Sequence, residues 1–288
     1  MKIKQIASIK PGQDGAIFND TLFRFDTRGN CKVYDLSTLS LDKAEISELI
    51  PVAEFTLDRA DEITPHSNSV VFGKEYYAEG DEFPLLYTNI YNTYAKSEDK
   101  MCGVCCVYRI ERREGGFTST LVQIIEIGFT DSRELWRSSG EVQDVRPYGN
   151  FVIDTENSKY WAYVMRDGEK KTRYFRFNLP ALSCGELDLR FGVKRAVLSA
   201  ADIEEFFDVP YHNYVQGGVF CKGKIYEVEG FGKDVRSAIR VIDTEKKREE
   251  LYFDFYEAGY PAEPEFIDFW RASCVYIDAH GNVFILDI

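Results

Sequence analysis

The chain has 288 residues, of which 44% are hydrophobic and 15% are aromatic. Its 48 acidic residues exceed its 35 Lys and Arg residues, which gives a formal net charge of -13. A surface of that charge repels phosphate backbones and anionic lipids, so nucleic acid and membranes are excluded as expected partners. The high share of Phe and Tyr favours strands over helices.

The first residues and the cysteines indicate the compartment. Residues 1–9 include two lysines but lack the continuous apolar stretch of a signal peptide, and no later stretch approaches the length of a membrane span. Seven cysteines are scattered along a chain that is too long to need disulfides, which is typical of a reducing environment. We therefore expect a cytoplasmic protein.

One pattern recurs along the chain: a few β-favouring residues, an aspartate, and then a small or turn-forming residue. It occurs at Asp26, Asp35, Asp154, Asp243 and Asp278. An aspartate at that point can close a turn through its own side chain. The pattern therefore predicts that each copy ends one strand and begins a hairpin.

Alternating residues between these turns predict strands, as at 173–178, 224–229 and 282–287, whereas helical spacing occurs only at 41–49 and 199–207. The strands group into similar units of roughly 50 to 60 residues, a period typical of β-propellers. We predict an all-β protein with a single propeller domain over 1–288, made of blades of four antiparallel strands. The five predicted blades are 11–58, 66–130, 146–198, 212–256 and 264–288.

The last unit contains only three predicted strands, and the strand within 1–10 has no partner in the first unit. We expect residues 1–10 to complete the last blade as its outer strand. Such a closure removes the exposed sheet edges that favour aggregation. Six blades, with the long unit 66–130 divided in two, are the alternative.

The fourth unit shows the most specific resemblance to known repeats. It contains a strand from Gly217, a Gly-Lys hairpin at 223–224, a strand centred on Tyr226 and a strand that ends at Asp243. This order resembles a blade of the kelch or TolB-like propellers, most strongly over 212–243. The Gly-His and Trp-Asp pairs of WD40 repeats are missing from the sequence. The resemblance implies a propeller and no particular function, since propellers include enzymes, binding modules and scaffolds.

In a propeller, the residues just before each innermost strand converge at one rim of the central channel. Polar residues occur at these points, and we interpret five of them as ligand-binding and solvent-facing: His66, Arg146, Tyr148, His212 and Gln216. An arginine supplies paired donors for a carboxylate or phosphate, histidines give directional hydrogen bonds, and a tyrosine can stack on a sugar. The alternative is that these loops are polar without binding a ligand.

Three carboxylates at the same rim, Asp14, Glu263 and Glu265, are the catalytic candidates. A glycosidase needs two carboxyl groups across a cleft, one protonated and the other a base or nucleophile. The set departs from that of the five-bladed furanosidases, whose carboxylates stand at the first three blades. This chain has His66 at the second blade and Arg146 at the third, where those enzymes have carboxylates.

The sequence predicts no cofactor and no bound metal. No glycine-rich phosphate loop precedes a helix. A metal would have to recruit His66, His212, Glu263 and Glu265, of which only the glutamates are closely spaced. The pair Cys102 and Cys105 continues into a predicted strand, which favours structural thiols over metal or redox chemistry.

The leading prediction is a binding module that takes a small polar, anionic or carbohydrate ligand, or a protein loop, at the channel rim. A glycan hydrolase or lyase that uses the rim carboxylates is the alternative, and an interaction scaffold is the second alternative. An enzyme requires paired ionisable groups with displaced pKa values in a concave site, whereas a scaffold requires an exposed apolar patch.

Overall fold

The computed structural model describes residues 1–41, 46–63, 65–90, 101, 103–128, 133–136, 146–147, 149–231 and 236–288. Strands dominate these residues, and the α-helix among them is a single turn, α1 (Ala60–Ile63). In chain order the strands are β1 (Lys2–Ser8), β2 (Gly15–Phe18), β3 (Thr21–Phe25), β4 (Asn30–Asp35), β5 (Ser47–Glu48), β6 (Ala53–Thr56), β7 (Val70–Phe72), β8 (Leu86–Ile90), β9 (Val104–Arg113), β10 (Gly116–Ile127), β11 (Phe151–Asp154), β12 (Lys159–Arg166), β13 (Lys171–Asn178), β14 (Glu186–Asp188), β15 (Val193–Leu198), β16 (Glu205–Pro210), β17 (Val215–Cys221), β18 (Lys224–Glu229), β19 (Ala238–Asp243), β20 (Arg248–Asp254), β21 (Pro264–Trp270), β22 (Ser273–Asp278) and β23 (Asn282–Asp287).

These strands form five sheets, which are the blades of a β-propeller. From the innermost strand outward the sheets are β2-β3-β4-β6, β7-β8-β9-β10-β15-β14, β11-β12-β13-β16, β17-β18-β19-β20 and β21-β22-β23-β1-β5. The innermost strands β2, β7, β11, β17 and β21 contact one another around the central channel. The predicted five-bladed, all-β propeller is therefore confirmed.

Apolar side chains fill the space between each pair of neighbouring sheets, and five separate cores result. Between the first and second sheets, the ring of Phe23 meets the rings of Phe72 and Phe117 edge to face, with centroids 5.3 and 5.5 Å apart. Both faces of each blade are therefore buried, which explains why the strands are so rich in aromatic and β-branched residues.

The repeated aspartates close turns as the sequence predicts. Asp278 Oδ1 accepts the backbone N–H groups of His280 at 3.0 Å and Asn282 at 2.9 Å. Asp154 and Asp243 accept backbone N–H groups in the same way. Each of these side chains replaces the hydrogen-bond partners that the backbone loses where a strand ends.

The N-terminal strand closes the ring. Strand β1 pairs antiparallel with β23, from Lys2↔Asp287 to Ser8↔Asn282. Its residues Ile6 and Ala7 are buried in the core between the fifth and first sheets. The predicted closure of the last blade by the first strand is confirmed.

The third blade differs from its predicted extent, 146–198. Residues 186–198 form β14 and β15, which extend the second sheet because β15 pairs parallel with β10, from Gln123↔Lys194 to Ile127↔Leu198. The outer strand of the third blade is β16, which pairs with β13.

Of the predicted helix at 199–207, only a 3-10 turn at Ala200–Asp202 forms, because the apolar residues that follow alternate between the two sides of β16. Phe207 is buried and stacks on Tyr174 at 5.4 Å between ring centroids, whereas Phe206 is 47% exposed. The other predicted helix, 41–49, lies partly outside the described residues, and Ser47–Glu48 form β5 beside β1. Across the described ranges, no helix has the length and apolar character needed to cross a membrane.

Deleting residues 1–10 should remove most of the cooperative stability. The deletion exposes the edge of β23 and one face of the core that contains Ile6 and Ile9. Full burial of an isoleucine contributes about 1.5 to 3 kcal/mol, a large part of a total of roughly 5 to 15 kcal/mol. Thermal unfolding followed by circular dichroism measures the loss. Adding a synthetic peptide of residues 1–10 should restore part of it, and an unchanged melting curve would contradict the closure.

Candidate functional site

Polar side chains collect where the innermost strands begin. We call this end of the channel the channel entrance. Its residues stand just before or at the start of the innermost strands, and every blade supplies at least one: Gln13, Asp14, Asn68, Ser69, Asn150, Gln216, Glu263 and Glu265. Residues that are up to 252 positions apart in the chain meet there.

Two glutamines join neighbouring blades at the channel entrance. Gln13 Nε2 of the first blade donates to Glu265 Oε1 of the fifth at 3.3 Å. Gln216 Nε2 of the fourth blade donates to Glu263 Oε1 at 2.6 Å. Both glutamines and Glu263 are half-buried, so part of each polar group stays accessible to a ligand.

An asparagine organises the rim of the second blade. Asn89, at the end of β8, is buried, and its Oδ1 accepts the backbone N–H groups of Asn68 at 3.0 Å and Ser69 at 3.2 Å. Its Nδ2 donates to Asn150 Oδ1 of the third blade at 3.4 Å. The loop before β7 is therefore held against the third blade by one amide.

Asp14 lies beneath this rim, where it is 1% exposed. Its Oδ2 accepts the N–H of Val70 at 2.9 Å, which ties the first blade to the second. Its Oδ1 has no hydrogen-bond partner among the described residues, and a Cβ on Gly217 would lie 3.4 Å from that oxygen. Burial raises the pKa of the Asp14 carboxyl well above its ordinary value. Burial therefore favours the protonated form of this carboxyl beside the inner strand of the fourth blade.

Glu265 is 5% exposed, and its Oε2 has no hydrogen-bond partner among the residues that the structure describes. Burial raises the pKa of Glu265 to about 8, with the nearby charges of Arg24 and Glu263 acting in opposite directions. The carboxyl is therefore mostly protonated at neutral pH, and it can donate a hydrogen bond as well as accept one.

Arg24 is a residue of this region that the sequence analysis missed. It lies in β3, is buried, and its guanidinium carbon is 5.6 Å from the ring centroid of Phe266. Its Nη2 donates to the Gly12 carbonyl at 2.9 Å, while Nε and Nη1 have no partner in the described part of the chain. Burial lowers the pKa of Arg24, and the charges of Glu265 and Asp14 oppose that shift. The signal in the sequence is a charged residue inside the apolar run 22–25.

Two other predicted ligand-binding residues belong to the second and third blades. His66 is half-buried before β7, and burial lowers the pKa of its imidazole, which keeps the ring neutral at pH 7. Tyr148 lies outside the described residues. Its proposed stacking role stays a prediction.

The structure does not bring Arg146 and His212 to the channel entrance. Arg146 is 6% exposed instead of facing solvent, and its Nη1 lies 3.4 Å from the carbonyl of Gly128, which follows the fourth strand of the second sheet. His212 is exposed, but its Nε2 lies 2.8 Å from Glu249 Oε2, and its ring lies 4.3 Å from that of Tyr252. Both partners belong to β20, the outermost strand of the fourth blade. The predicted pocket with both residues is therefore not formed.

A second buried charge cluster lies between the third and fourth blades. Arg240 Nη2 contacts Glu227 Oε2 at 2.8 Å, Arg240 Nε contacts Glu229 Oε1 at 3.0 Å, and the Tyr174 hydroxyl donates to Glu227 at 2.6 Å. Because the arginine is paired with both carboxylates, the cluster joins the two blades instead of offering groups to a ligand.

A groove of about 470 Å³ lies at the opposite end of the third and fourth blades. Its cations Lys159, Arg176 and Lys247 are paired with Glu204 or Glu205, so the groove presents compensated charge. In the described ranges, no group of three or more His, Cys, Asp or Glu side chains is arranged to hold a metal ion.

No protein-family model and no curated protein matches the sequence. Many solved structures are similar in fold, and three of them illustrate the degree of likeness. The PQQ-bound aldose sugar dehydrogenase of Streptomyces coelicolor has a TM-score of 0.49 at 9% identity, with 99% of this chain and 97% of that chain covered. The glutaminyl cyclase of Myxococcus xanthus has a TM-score of 0.46 at 12% identity, with 100% and 96% covered. A luciferin-regenerating enzyme has a TM-score of 0.47 at 9% identity, with 99% and 94% covered.

Likenesses of this degree support neither a ligand nor a reaction for this chain. The pairing of the strands themselves defines its class, a five-bladed β-propeller closed by its first strand. Function therefore has to be argued from the channel entrance alone.

The raised pKa of Glu265 predicts how stability depends on pH. The folded pKa is about 8, whereas an unfolded glutamate titrates near about 4.3, so the folded state binds more protons between these values. The stability contributed by this group is fully present below about pH 4.3 and is lost as the pH rises through 8. As the pH rises through this range, the free energy of unfolding of Glu265→Gln should therefore fall less steeply than that of the wild type. The difference is at most about 1.4 kcal/mol per pH unit.

Urea unfolding between pH 5 and pH 9 measures this difference. Glu114→Gln, in the exposed turn between β9 and β10, removes the same charge and should follow the wild type. Parallel stability curves for Glu265→Gln and the wild type would contradict a raised pKa at Glu265.

Proposed function

We propose that the channel entrance binds a small, neutral, hydroxyl-rich ligand of the carbohydrate class. The observation that carries this proposal is the set of groups that meet there from all five blades. Gln13, Gln216 and Asn68 offer amides, Glu265 offers a protonated carboxyl group, and Glu263 offers acceptor oxygens. Amides and protonated carboxyls both donate and accept hydrogen bonds, which matches hydroxyl groups that do the same.

Charge favours a neutral ligand over an anionic one. Two donors that the sequence predicts at the rim, Arg146 and His212, contact Gly128 and the outer strand β20. Arg24 is buried beneath the rim, where its charge interacts with Glu265 and Asp14. The net charge of -13 also opposes the approach of anions.

The unpartnered carboxyl oxygens give the ligand its deepest contacts. Asp14 Oδ1 and Glu265 Oε2 are both buried and lack a partner among the described residues. A buried polar atom without a hydrogen bond costs about 1 to 3 kcal/mol, and a ligand hydroxyl that reaches it recovers part of that cost. The proposed ligand therefore binds at the rim of the first, fourth and fifth blades, above these two carboxyls.

Hydrolysis of a glycan at the same place is the second candidate. The pKa of Glu265, raised to about 8, suits a general acid. A glycosidase also needs an ionised partner, but burial raises the pKa of Asp14 as well. The two buried carboxyls are thus shifted in the same direction, which favours binding over hydrolysis.

Other predictions concern the family and the setting of the protein. A protein loop as the ligand, a scaffold without pocket chemistry, the kelch or TolB-like subclass and the cytoplasm stay predictions. The six described cysteines are free thiols, which agrees with a reducing compartment. We rank the carbohydrate ligand first because it alone uses the amide and carboxyl groups of the channel entrance.

Gln216→Ala should weaken saccharide binding by about two- to tenfold, because a neutral hydrogen bond contributes about 0.5 to 1.5 kcal/mol. Saturation-transfer NMR and calorimetry with glucose, galactose, mannose and xylose measure the binding. His212→Ala is the matched control, since His212 lies at the periphery of the fourth blade and should leave affinity unchanged.

Binding of phosphate or acetate in preference to every monosaccharide would contradict the proposal. The same would follow if His212→Ala, and not Gln216→Ala, reduced binding. The protein could instead release reducing sugar from an oligosaccharide while Asp14→Asn and Glu265→Gln do not. That result would make glycan hydrolysis the leading function.

A further inference from the structure

We infer that Tyr211, Tyr214 and Phe231 form an outer subsite beside the channel entrance, where they stack on the neighbouring residue of an oligosaccharide. We call these three rings the aromatic row. The inference rests on the proposed function, since it extends the same ligand from one sugar residue to at least two.

The rings of the aromatic row contact one another edge to face. The centroids of Tyr211 and Tyr214 are 6.1 Å apart with planes at 79°, and those of Tyr214 and Phe231 are 6.4 Å apart with planes at 85°. Tyr214 is nevertheless 43% exposed and Phe231 59% exposed. Mutual contacts therefore fix the rings in place while ring surface stays open to a ligand.

The aromatic row is continuous with the channel entrance. Tyr214 and Gln216 are two residues apart, about 7 Å along an extended chain, and strand β17 begins between them at Val215. The N–H of Gly230 donates to the Tyr214 carbonyl at 2.9 Å, which sets Phe231 beside Tyr214.

A glycine brings this segment against the fifth blade. Gly230 has a φ of +137°, and a Cβ there would lie 3.3 Å from Cδ of Pro264, the residue after Glu263. The backbone just before Phe231 therefore lies against the residue that follows Glu263. A ligand bound at Glu263 and Gln216 has the row as its next contact.

The chemistry of this surface suits a sugar chain. A sugar residue combines apolar C–H faces with hydroxyl edges, so it gains from burial of apolar area on a ring and from polar neighbours at once. Polar groups flank the aromatic row: Asn213 Oδ1 accepts the N–H of Tyr214 at 2.9 Å, and Lys170 Nζ lies 5.8 Å from the Tyr211 ring centroid. Amphipathic tyrosine rings recognise such ligands at a low entropic cost.

Affinity for saccharides of increasing length tests the inference. Calorimetry compares glucose with cellobiose, cellotriose, maltose and maltotriose, and xylose with xylobiose and xylotriose. We expect the second residue to raise affinity about three- to tenfold in the wild type. Tyr214→Ala and Phe231→Ala should each abolish most of this increment while monosaccharide affinity stays unchanged.

Tyr76→Ala is the matched control, because Tyr76 is 46% exposed and lies in the loop between β7 and β8, outside the aromatic row. It should preserve the increment. Monosaccharide binding without any gain from the second residue overturns the aromatic row as a subsite and leaves the proposed function intact. If Tyr214→Ala and Phe231→Ala both keep the gain in affinity from the second sugar residue, and both have unchanged melting temperatures, the subsite is overturned as well. Failure of every saccharide to bind overturns both the proposed function and the inference.

Discussion

Strand β1 pairs with β23 from Lys2↔Asp287 to Ser8↔Asn282, so the first and last segments of the chain lie in one sheet. This pairing covers the edge of β23, which would otherwise leave the last blade as a three-stranded sheet. The pairing brings Ile6 into the core between the fifth and first sheets, where it packs with Phe266 and Leu22. The channel entrance depends on that core, since it combines residues of the first and fifth blades.

Contacts between inner strands then set the geometry of the entrance. Asp14 accepts the N–H of Val70, and Asp268 Oδ2 accepts the N–H of Ile17 at 2.7 Å, so carboxyl groups connect the first blade to both of its neighbours. Gly217 permits close approach, since a Cβ there would lie 3.1 Å from the Glu265 carbonyl. The same crowding desolvates the carboxyls and raises the pKa of Glu265 to about 8 and that of Asp268 to about 7.

Local patterns predicted the architecture well because each blade repeats the same short-range signals. The aspartate turns, the alternating strands and the unpaired N-terminal strand were sufficient for five blades and their closure. Strands β14 and β15 were assigned to the wrong blade, because their parallel pairing with β10 depends on contacts across 71 positions, from Gln123 to Lys194. Position before an inner strand predicted that Gln216 and Glu265 lie at the channel entrance, while their roles stay predictions; it could not show that the His212 side chain contacts β20. The sequence did not predict Arg24 because it lies in β3, the second strand of the first blade. Its distance from the channel depends on how the blades pack and cannot be read from local sequence.

The hydrogen-bond donors proposed at the channel entrance include the protonated carboxyl of Glu265. Carbon-13 NMR titration of the side-chain carboxyl of Glu265, assigned through Glu265→Gln, tests this protonation most directly. The account predicts a midpoint near pH 8, as burial requires, and a further rise when a monosaccharide binds. A midpoint near about pH 4.3, the value of an exposed glutamate, would contradict it.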